Sequence, residues 1–509
     1  MSRKLSREQL GLVLGPLLAV LWLITPPFPG MVEAASQAGV SVYHLKLALG
    51  VLFWVATWWI TECVPLGLAG LVPALLFPMV GLVSWKKALS SFTSPIIWIF
   101  MGGFVLAKAF QVWGLDKRIA IKLSSLYKGS NPALAAFFTA CLPVFILTMT
   151  GSITASTSIT YPIVLAYLTT LGFQRGSRYG EATMLALGEA ATAGAMFLLI
   201  STPPNLIAKS AIETAMPGTT ITFLDWIIVG TPHAFLGLVI TWFITFALIK
   251  PEVKELSIEK RKELLSKIEL KPMSRGEKIV LAIFLLTLFL WTIPGSILIY
   301  STINPEYTWL SNLLKAVLPE AAPAVLAILL LGLIKVENRP LLKWKDIEEG
   351  IDWNVVFLFG GGIVLGAGLQ AAGFDKWIAR LIVSQHFFKI NVYTLSFISA
   401  ILAFLITYPA SNTASALIAC PLVAAMAIGA GINPIPPVII AGLAASISSA
   451  LPSTTPPMAI VYGSRYIKLW NMFKVGMICD IIRLMLLVLI GPPLAVYLCQ
   501  LKGLPLILG

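Results

Sequence analysis

Residues 98–120 read WIFMGGFVLAKAFQVWGLDKRIA, and residues 357–379 read FLFGGGIVLGAGLQAAGFDKWIA. The two stretches align without a gap at an offset of 259 residues (361 − 102 = 259). Gly102-Gly103 falls on Gly361-Gly362, Gln111 on Gln370, Gly114 on Gly373, and Asp116-Lys117 on Asp375-Lys376. Carried onward, the same offset places Ser152-Ile153-Thr154 on Ser411-Asn412-Thr413 and Pro162 on Pro421. A duplicated apolar chain with matching polar interruptions in both halves is the pattern of a secondary transporter.

Composition agrees with that class. Of 509 residues, 58% are hydrophobic and 12% charged, against about 25% charged in soluble domains. Mean hydropathy is +0.89, and many apolar runs reach the ~20 residues that span a bilayer as helix. The reading is an all-α polytopic membrane protein. The net charge of +13 then reflects Lys and Arg gathered in cytoplasmic loops, not a nucleic-acid surface. Cys63, Cys141, Cys420, Cys479 and Cys499 are scattered, without a CxxC pair. They read as small core residues. His44, His233 and His386 lie too far apart in sequence to suggest a metal centre. Without a His/Asp/Glu/Cys grouping at ligand spacing, a membrane-embedded enzyme is disfavoured. A channel is the weaker rival. Arg3, Lys4 and Arg7 precede an apolar run that reads as a retained first helix.

Eleven spans are expected, at roughly 9–29, 44–64, 66–84, 95–113, 181–210, 226–249, 277–300, 313–335, 353–372, 435–463 and 474–499. Two further apolar stretches, 131–172 and 390–430, are interrupted by polar residues. Each is long enough for two spans or for a re-entrant hairpin. The segment 250–278 holds nine Lys/Arg and six Glu and reads as cytoplasmic, like the basic N-terminus. Both lie inside if six spans separate them and 131–172 is a hairpin, which also keeps Lys117, Arg118, Lys122 and Lys128 on the side of Arg175 and Arg178. Lys86-Lys87 and Lys376/Arg380 run against the scheme. The C-terminus then falls outside. The domains expected are an N-terminal helix and outer loop (1–43), a first repeat (44–249), an amphipathic cytoplasmic linker (250–276) and a second repeat (277–509). Five spans per repeat is an odd number, so the two copies are inverted in the membrane.

Each half offers two broken elements. The first has a hairpin tip, TMTGSITASTS (148–158), and a break at Ser201-Thr202-Pro203-Pro204-Asn205. The second has the tip TYPASNTASA (407–416) and a break at Ser453-Thr454-Thr455-Pro456-Pro457. A Pro-Pro pair cannot continue a helix. It frees carbonyls upstream, which suit a small cation, and starts a new helix downstream, whose N-terminus suits an anion. Ser and Thr in membrane helices usually bond their own backbone, and a lone TPP is usually a kink. Four such elements paired by one repeat are far less easily accidental.

These motifs resemble the divalent anion/sodium symporter family, which carries dicarboxylates, citrate and sometimes sulfate. Its marks are Ser-Asn-Thr at each tip and a TPP-type break in each half, and the resemblance covers nearly the whole chain in element order. It implies a homodimer in the plasma (inner) membrane, with a scaffold domain and an elevator-like transport domain. Ser152, Thr154, Ser411, Asn412 and Thr413 would hold substrate carboxylates, aided by Thr202-Pro203 and Thr455-Pro456. It implies no cofactor beyond sodium as coupling ion. One sodium would sit near Thr148, Ser152 and the Ser201 carbonyl. The other would sit near Thr407, the Ala410 carbonyl, Asn412 and the Thr454 carbonyl. The sequence departs from the pattern at Ile153, which stands in the Asn position of the first tip. Isoleucine offers neither amide donor nor carbonyl oxygen, so either substrate is gripped asymmetrically, mostly by Asn412, or the first sodium site is weak or absent. Met458 likewise replaces a common Asn. Sodium-independent exchangers of the family often carry a cationic side chain near the tips. Here those positions read Ala155-Ser156-Thr157 and Ala414-Ser415-Ala416. Sodium symport of a di- or tricarboxylate is therefore expected, with dicarboxylate exchange or transport of sulfate or another inorganic anion as alternatives. Among buried ionisable residues, Asp480 and Arg483 are expected to neutralise each other, Lys108 to reach the interface, and Glu189 to be structural or proton-coupling.

Overall fold

Proline pairs and left-handed glycines mark several of the helix boundaries in this chain. The computed structural model describes residues 7–259, 271–384 and 390–508. Part of the expected linker 250–276, together with His386, lies outside these residues. The first half contributes α1 (Val42–Thr61), α2 (Pro95–Trp113), α3 (Leu142–Leu147), α4 (Ile153–Thr170), α5 (Arg178–Gly194), α6 (Pro203–Ala215) and α7 (Phe223–Leu248). The second contributes α8 (Arg275–Ile303), α9 (Ala321–Leu333), α10 (Trp353–Ala371), α11 (Val392–Thr407), α12 (Asn412–Gly429), α13 (Ile435–Ala444), α14 (Pro456–Gly463) and α15 (Leu469–Leu501). Shorter helices lie between them.

Among the described residues eight helices are long and apolar enough to cross a bilayer, or nine if the bent pair Pro305–Val317 and Ala321–Leu333 forms one span. The hydropathy pattern predicts eleven. The difference has a local cause. Run 66–84 divides into Leu66–Ala69 and Leu71–Met79, run 181–210 into α5 and α6, and run 435–463 into α13 and α14. Run 9–29 gives only Arg7–Ile24. Hydropathy records an apolar length, but a helix also needs backbone donors, and proline removes them. Conversely, Pro132–Thr150 and Asn412–Gly429, arms of the two interrupted stretches, each qualify as long and apolar.

The repeat is visible in how equivalent glycines are used. α2 ends at Gly114 (φ 70°) and Gly373 (φ 83°) follows α10, each left-handed and each followed by a short amphipathic helix, Leu115–Ser124 and Phe374–Ser384. A Cβ on Gly361 would stand 2.1 Å from the Gly70 carbonyl oxygen, and one on Gly102 would stand 2.8 Å from Ala324 Cα. A neighbouring backbone therefore presses on α2 and α10 at matching positions, the small-residue packing of membrane helices. We expect Gly361→Ala to cost about 1–3 kcal/mol, the usual range for overpacking, read as a lower thermal unfolding midpoint. Gly366→Ala on the same helix, with nothing within 4 Å of the added Cβ, is the silent comparison.

The broken elements of the two halves interlock. α14 packs on α4 and α5, while α6 packs on α12 and α13. The C-terminal α15 seals this body from outside, against α7, α11 and α13. Buried ion pairs tie the helices together. Lys209 on α6 is 1% exposed. Its Nζ lies 2.5 Å from carboxylate oxygens of both Glu213 and Glu320, and it donates to the Ile221 carbonyl. Lys502 pairs with Asp225 at 2.5 Å. Asp480 and Arg483 approach to 3.6 Å, as their spacing predicts. Nearer the surface, Lys108 pairs with the exposed Glu349 at 3.5 Å.

Candidate functional site

Four helices start at one cavity. The N-terminal residues are Ser152 for α4, Thr202 for α6, Ser411 for α12 and Thr455 for α14, and all four line a cavity of about 620 Å³. The local reason is simple. Ser152 and Ser411 cap their helices, their Oγ atoms accepting from Ala155 N (3.1 Å) and Ala414 N (3.3 Å). Pro203-Pro204 and Pro456-Pro457 open the other two, since proline at a helix start gives up no hydrogen bond. Each helix start presents partial positive charge and free N–H groups. Thr455 Oγ1 and Asn412 Nδ2 are buried without a hydrogen-bond partner.

The structure brings together all the residues that the resemblance assigned to substrate. Ser152, Thr154, Thr202, Pro203, Ser411, Asn412, Thr413, Thr455 and Pro456 all line the cavity. Of the sodium candidates, Ser152, Ser201, Asn412 and Thr454 line it too. Thr148, Thr407 and Ala410 are buried and do not.

Oxygens crowd together at the second tip. Thr407 Oγ1 lies 2.9 Å from Asn412 Oδ1, 2.8 Å from the Ala445 carbonyl oxygen and 3.4 Å from Ser448 Oγ. Ser448 Oγ donates to Asn412 Oδ1 at 2.7 Å. Two hydroxyl hydrogens serve these four contacts, so at least two oxygen pairs approach without a hydrogen of their own. Hydroxyl, amide and carbonyl oxygens are the donor set of a hard cation. The sequence reading named Thr407 and Asn412. Ala445 and Ser448 were missed, because Ser448 belongs to an unpatterned SISSA run and the Ala445 carbonyl is free only because α13 stops at Ala444. The carbonyls of Ala410 and Thr454 take no part in these hydrogen bonds.

The first tip is poorer in oxygen. Thr148 Oγ1 reaches the Phe145 and Gly194 carbonyls at 2.7 and 3.0 Å. Ser201 Oγ accepts from Leu198 N at 3.0 Å. Ile153, lining the cavity, fills the place that Asn412 holds in the other half. Asn205 acts as a clip, its Nδ2 donating to the Ala195 and Leu198 carbonyls, both at 2.8 Å, across the break between α5 and α6.

Sequence reasoning also missed the far wall. Glu62 and Asp352 line the cavity, and among the described residues no Lys, Arg or His does. Glu62 follows α1 in a left-handed conformation (φ 51°). Asp352 caps α10, accepting from Val355 N at 3.2 Å. In sequence both look like ordinary helix-end carboxylates.

A polytopic helical body with four helix starts, hydroxyls and the amides of Asn354 and Asn412 at one cavity has the architecture of a membrane transporter. Comparison with known proteins agrees. The chain belongs to the family of the sodium:sulfate symporter transmembrane region, whose model matches residues 19–500. It is 30% identical over 500 residues to the sodium-dependent dicarboxylate transporter SdcS of Staphylococcus saprophyticus, covering 95% of this chain and 90% of that one. The SdcS of Staphylococcus aureus is 29% identical over 496 residues at the same coverage. Among solved structures, Neisseria gonorrhoeae MtrF, of a class of antimetabolite efflux pumps, matches over 85% of both chains at 14% identity and a TM-score of 0.49. That likeness is too slight to support any inference.

Proposed function

We propose that the chain is a sodium-coupled transporter of small di- or tricarboxylates of the succinate, malate, 2-oxoglutarate or citrate class. The observation that carries this is the charge of the cavity. A dianion entering it meets two carboxylates, Glu62 and Asp352, and, among the described residues, no cationic side chain. Helix starts supply only about half a positive charge each. Cations that enter with the substrate supply the remainder, and the oxygen cluster of Thr407, Asn412, Ser448 and Ala445 is the place suited to one. Sodium-independent exchangers of the family often carry a fixed cation near the tips, and among the described residues none lines this cavity.

In this reading Ser152 and Thr154 take one carboxylate and Ser411, Asn412 and Thr413 the other, with Thr202-Pro203 and Thr455-Pro456 at the flanks. Two tips facing one cavity of about 620 Å³ suit two carboxylates better than a single sulfate. The two Staphylococcus relatives bear dicarboxylate names, which supports the same choice. The carbonyls of Ala410 and Thr454 complete the second cation site when the cluster opens around an ion. A first cation, near Thr148, Ser152 and Ser201, is held weakly for want of an amide at position 153. The stretches 131–172 and 390–430 are re-entrant hairpins in inverted repeats (44–249 and 277–509), with the N-terminus cytoplasmic and the C-terminus outside the plasma membrane. The interlocked broken helices form a transport domain that moves as an elevator against the scaffold of a homodimer.

Uptake of labelled succinate into proteoliposomes under an inward sodium gradient tests the substrate. Unlabelled malate or 2-oxoglutarate is expected to compete, and sulfate to compete far less. Sulfate competing better than every carboxylate would overturn the assignment. Ile153→Asn restores the missing amide. It is expected to lower the half-saturating sodium concentration on the order of fivefold, the low end for coupled binding. An unchanged sodium response would remove the asymmetric reading of the two halves.

A further inference from the structure

One carboxyl group deep in the protein has no role in the site described above. Glu189 on α5 is fully buried, and neither carboxyl oxygen has a hydrogen-bond partner among the described residues. The groups facing it are Asp480, Arg483 and Cys479 on α15, with Tyr408 at the second tip and the Ser449 hydroxyl close by. Helices α3, α4 and α14 pack on α5 and carry no charged residue. α7 carries Asp225, which pairs with Lys502, and His233, which shares a small cavity with Arg483.

The charges do not balance if every group is ionised. Asp480 is fully provided for. It accepts Tyr408 OH (2.7 Å), Ser449 N (2.6 Å) and Ser449 Oγ (2.9 Å), and it faces Arg483. Arg483 gives two donors to Thr192, at 3.2 Å to both Oγ1 and the carbonyl, and its Nε has no hydrogen-bond partner among the described residues. One guanidinium thus answers one carboxylate, and the Ser449 hydroxyl close to Glu189 donates instead to Asp480. An ionised carboxyl without donor or counter-ion is strongly disfavoured at such depth. A proton on Glu189 makes the cluster neutral.

The cluster also touches the cation site. Tyr408 is the residue after Thr407, and Ser449 the residue after Ser448. Asp480 thus holds both strands of backbone that supply oxygens to the Thr407–Asn412–Ser448 cluster.

We propose that Glu189 is a proton-binding site whose proton leaves when a cation enters the Thr407–Asn412–Ser448 cluster. This rests on reading that cluster as a sodium site. The exchange balances: sodium adds one positive charge, the Glu189 O–H bond breaks, the carboxylate keeps the electron pair, and the proton goes to solvent. Like charges repel across the buried network, so sodium and proton binding oppose each other, and by linkage each weakens the other equally. Sodium affinity therefore rises with pH.

The test is a sodium chloride titration of the full-length protein in nanodiscs, in weakly buffered indicator dye, with potassium chloride as control. Sodium occupancy is read separately from the rise in thermal unfolding midpoint. The wild type is expected to release protons with sodium and not with potassium. Its half-saturating sodium concentration is expected to fall about tenfold from mildly acid to mildly alkaline buffer, within the usual range of coupling between sites. Glu189→Gln is expected to bind sodium more weakly, release no proton and show no pH dependence. Sodium binding without proton release, or release that persists in Glu189→Gln, overturns the proposal and leaves the sodium site standing. If sodium produces no stabilisation at any pH, the sodium site itself falls, and this proposal with it. Should the glutamine variant not fold, the wild-type titration decides alone.

Discussion

Replacing Asn412 with alanine is expected to abolish sodium-dependent uptake while the protein stays folded. Asn412 is the first residue of α12 and stands at both parts of the site. Its Oδ1 receives Ser448 and Thr407 at 2.7 and 2.9 Å, and its Nδ2 is buried with no protein partner. Alanine removes an oxygen from the cation cluster and a donor from the substrate side at once. Hydrogen bonds to charged partners contribute about 1.5–3 kcal/mol each, so two losses reduce uptake by about a hundredfold or more. The fold is spared because Thr407 keeps the Ala445 carbonyl as acceptor at 2.8 Å. Initial uptake rates, together with an unfolding midpoint close to that of the wild type, check both halves of the expectation. Normal kinetics in this variant would place the site elsewhere.

Lys209→Met is expected to fail in the opposite way, by unfolding. Lys209 bonds two carboxylates and a carbonyl from a fully buried position. Methionine keeps the stem but leaves Glu213 and Glu320 repelling each other without a counter-ion. Breaking a buried ion pair this way costs about 3–5 kcal/mol, a large share of a typical stability of about 5–15 kcal/mol. Low yield and a sharply lowered midpoint are the expected readout. The triple variant with Glu213→Gln and Glu320→Gln is expected to recover much of the loss, because it removes the stranded charges as well. A single variant as stable as the wild type would show that the ion pairs contribute little. Lys209 matters to the site because its helix begins at Pro203, on the cavity wall. The residue ties the body of α6 to Glu320 at the foot of α9.

The candidate site was more legible in the sequence than the helix count was. Ser411-Asn412-Thr413 and both proline pairs could be found because chemistry and repeat coincide there. Each motif carries its own physical reason to break a helix, and its partner 250 or so residues away repeats it. The departure at Ile153 was legible for the same reason, since the repeat supplies the expected residue. The rest of the site depends on what tertiary packing brings near. Glu62 and Asp352 sit at helix ends where carboxylates are commonplace, and nothing local tells that they face a shared cavity. The Ala445 carbonyl carries no side-chain signal at all. The network of Glu189, Asp480 and Arg483 was half legible. The spacing of Asp480 and Arg483 predicts their contact, but that Asp480 grips the residues after Thr407 and Ser448 requires the three-dimensional arrangement of α11, α13 and α15. Helix number was the least legible, because apolar runs conceal breaks that only proline and backbone geometry decide.

A cavity that offers a dianion four helix starts, two carboxylates and, among the described residues, no cationic side chain makes one demand that is simple to measure. Succinate uptake into proteoliposomes is followed under an inward sodium gradient and again with choline in place of sodium. Accumulation above the external concentration with sodium, and none with choline, is the predicted result. Equal accumulation in choline would contradict it, and would mean that the positive charge balancing the substrate comes from somewhere other than a bound sodium.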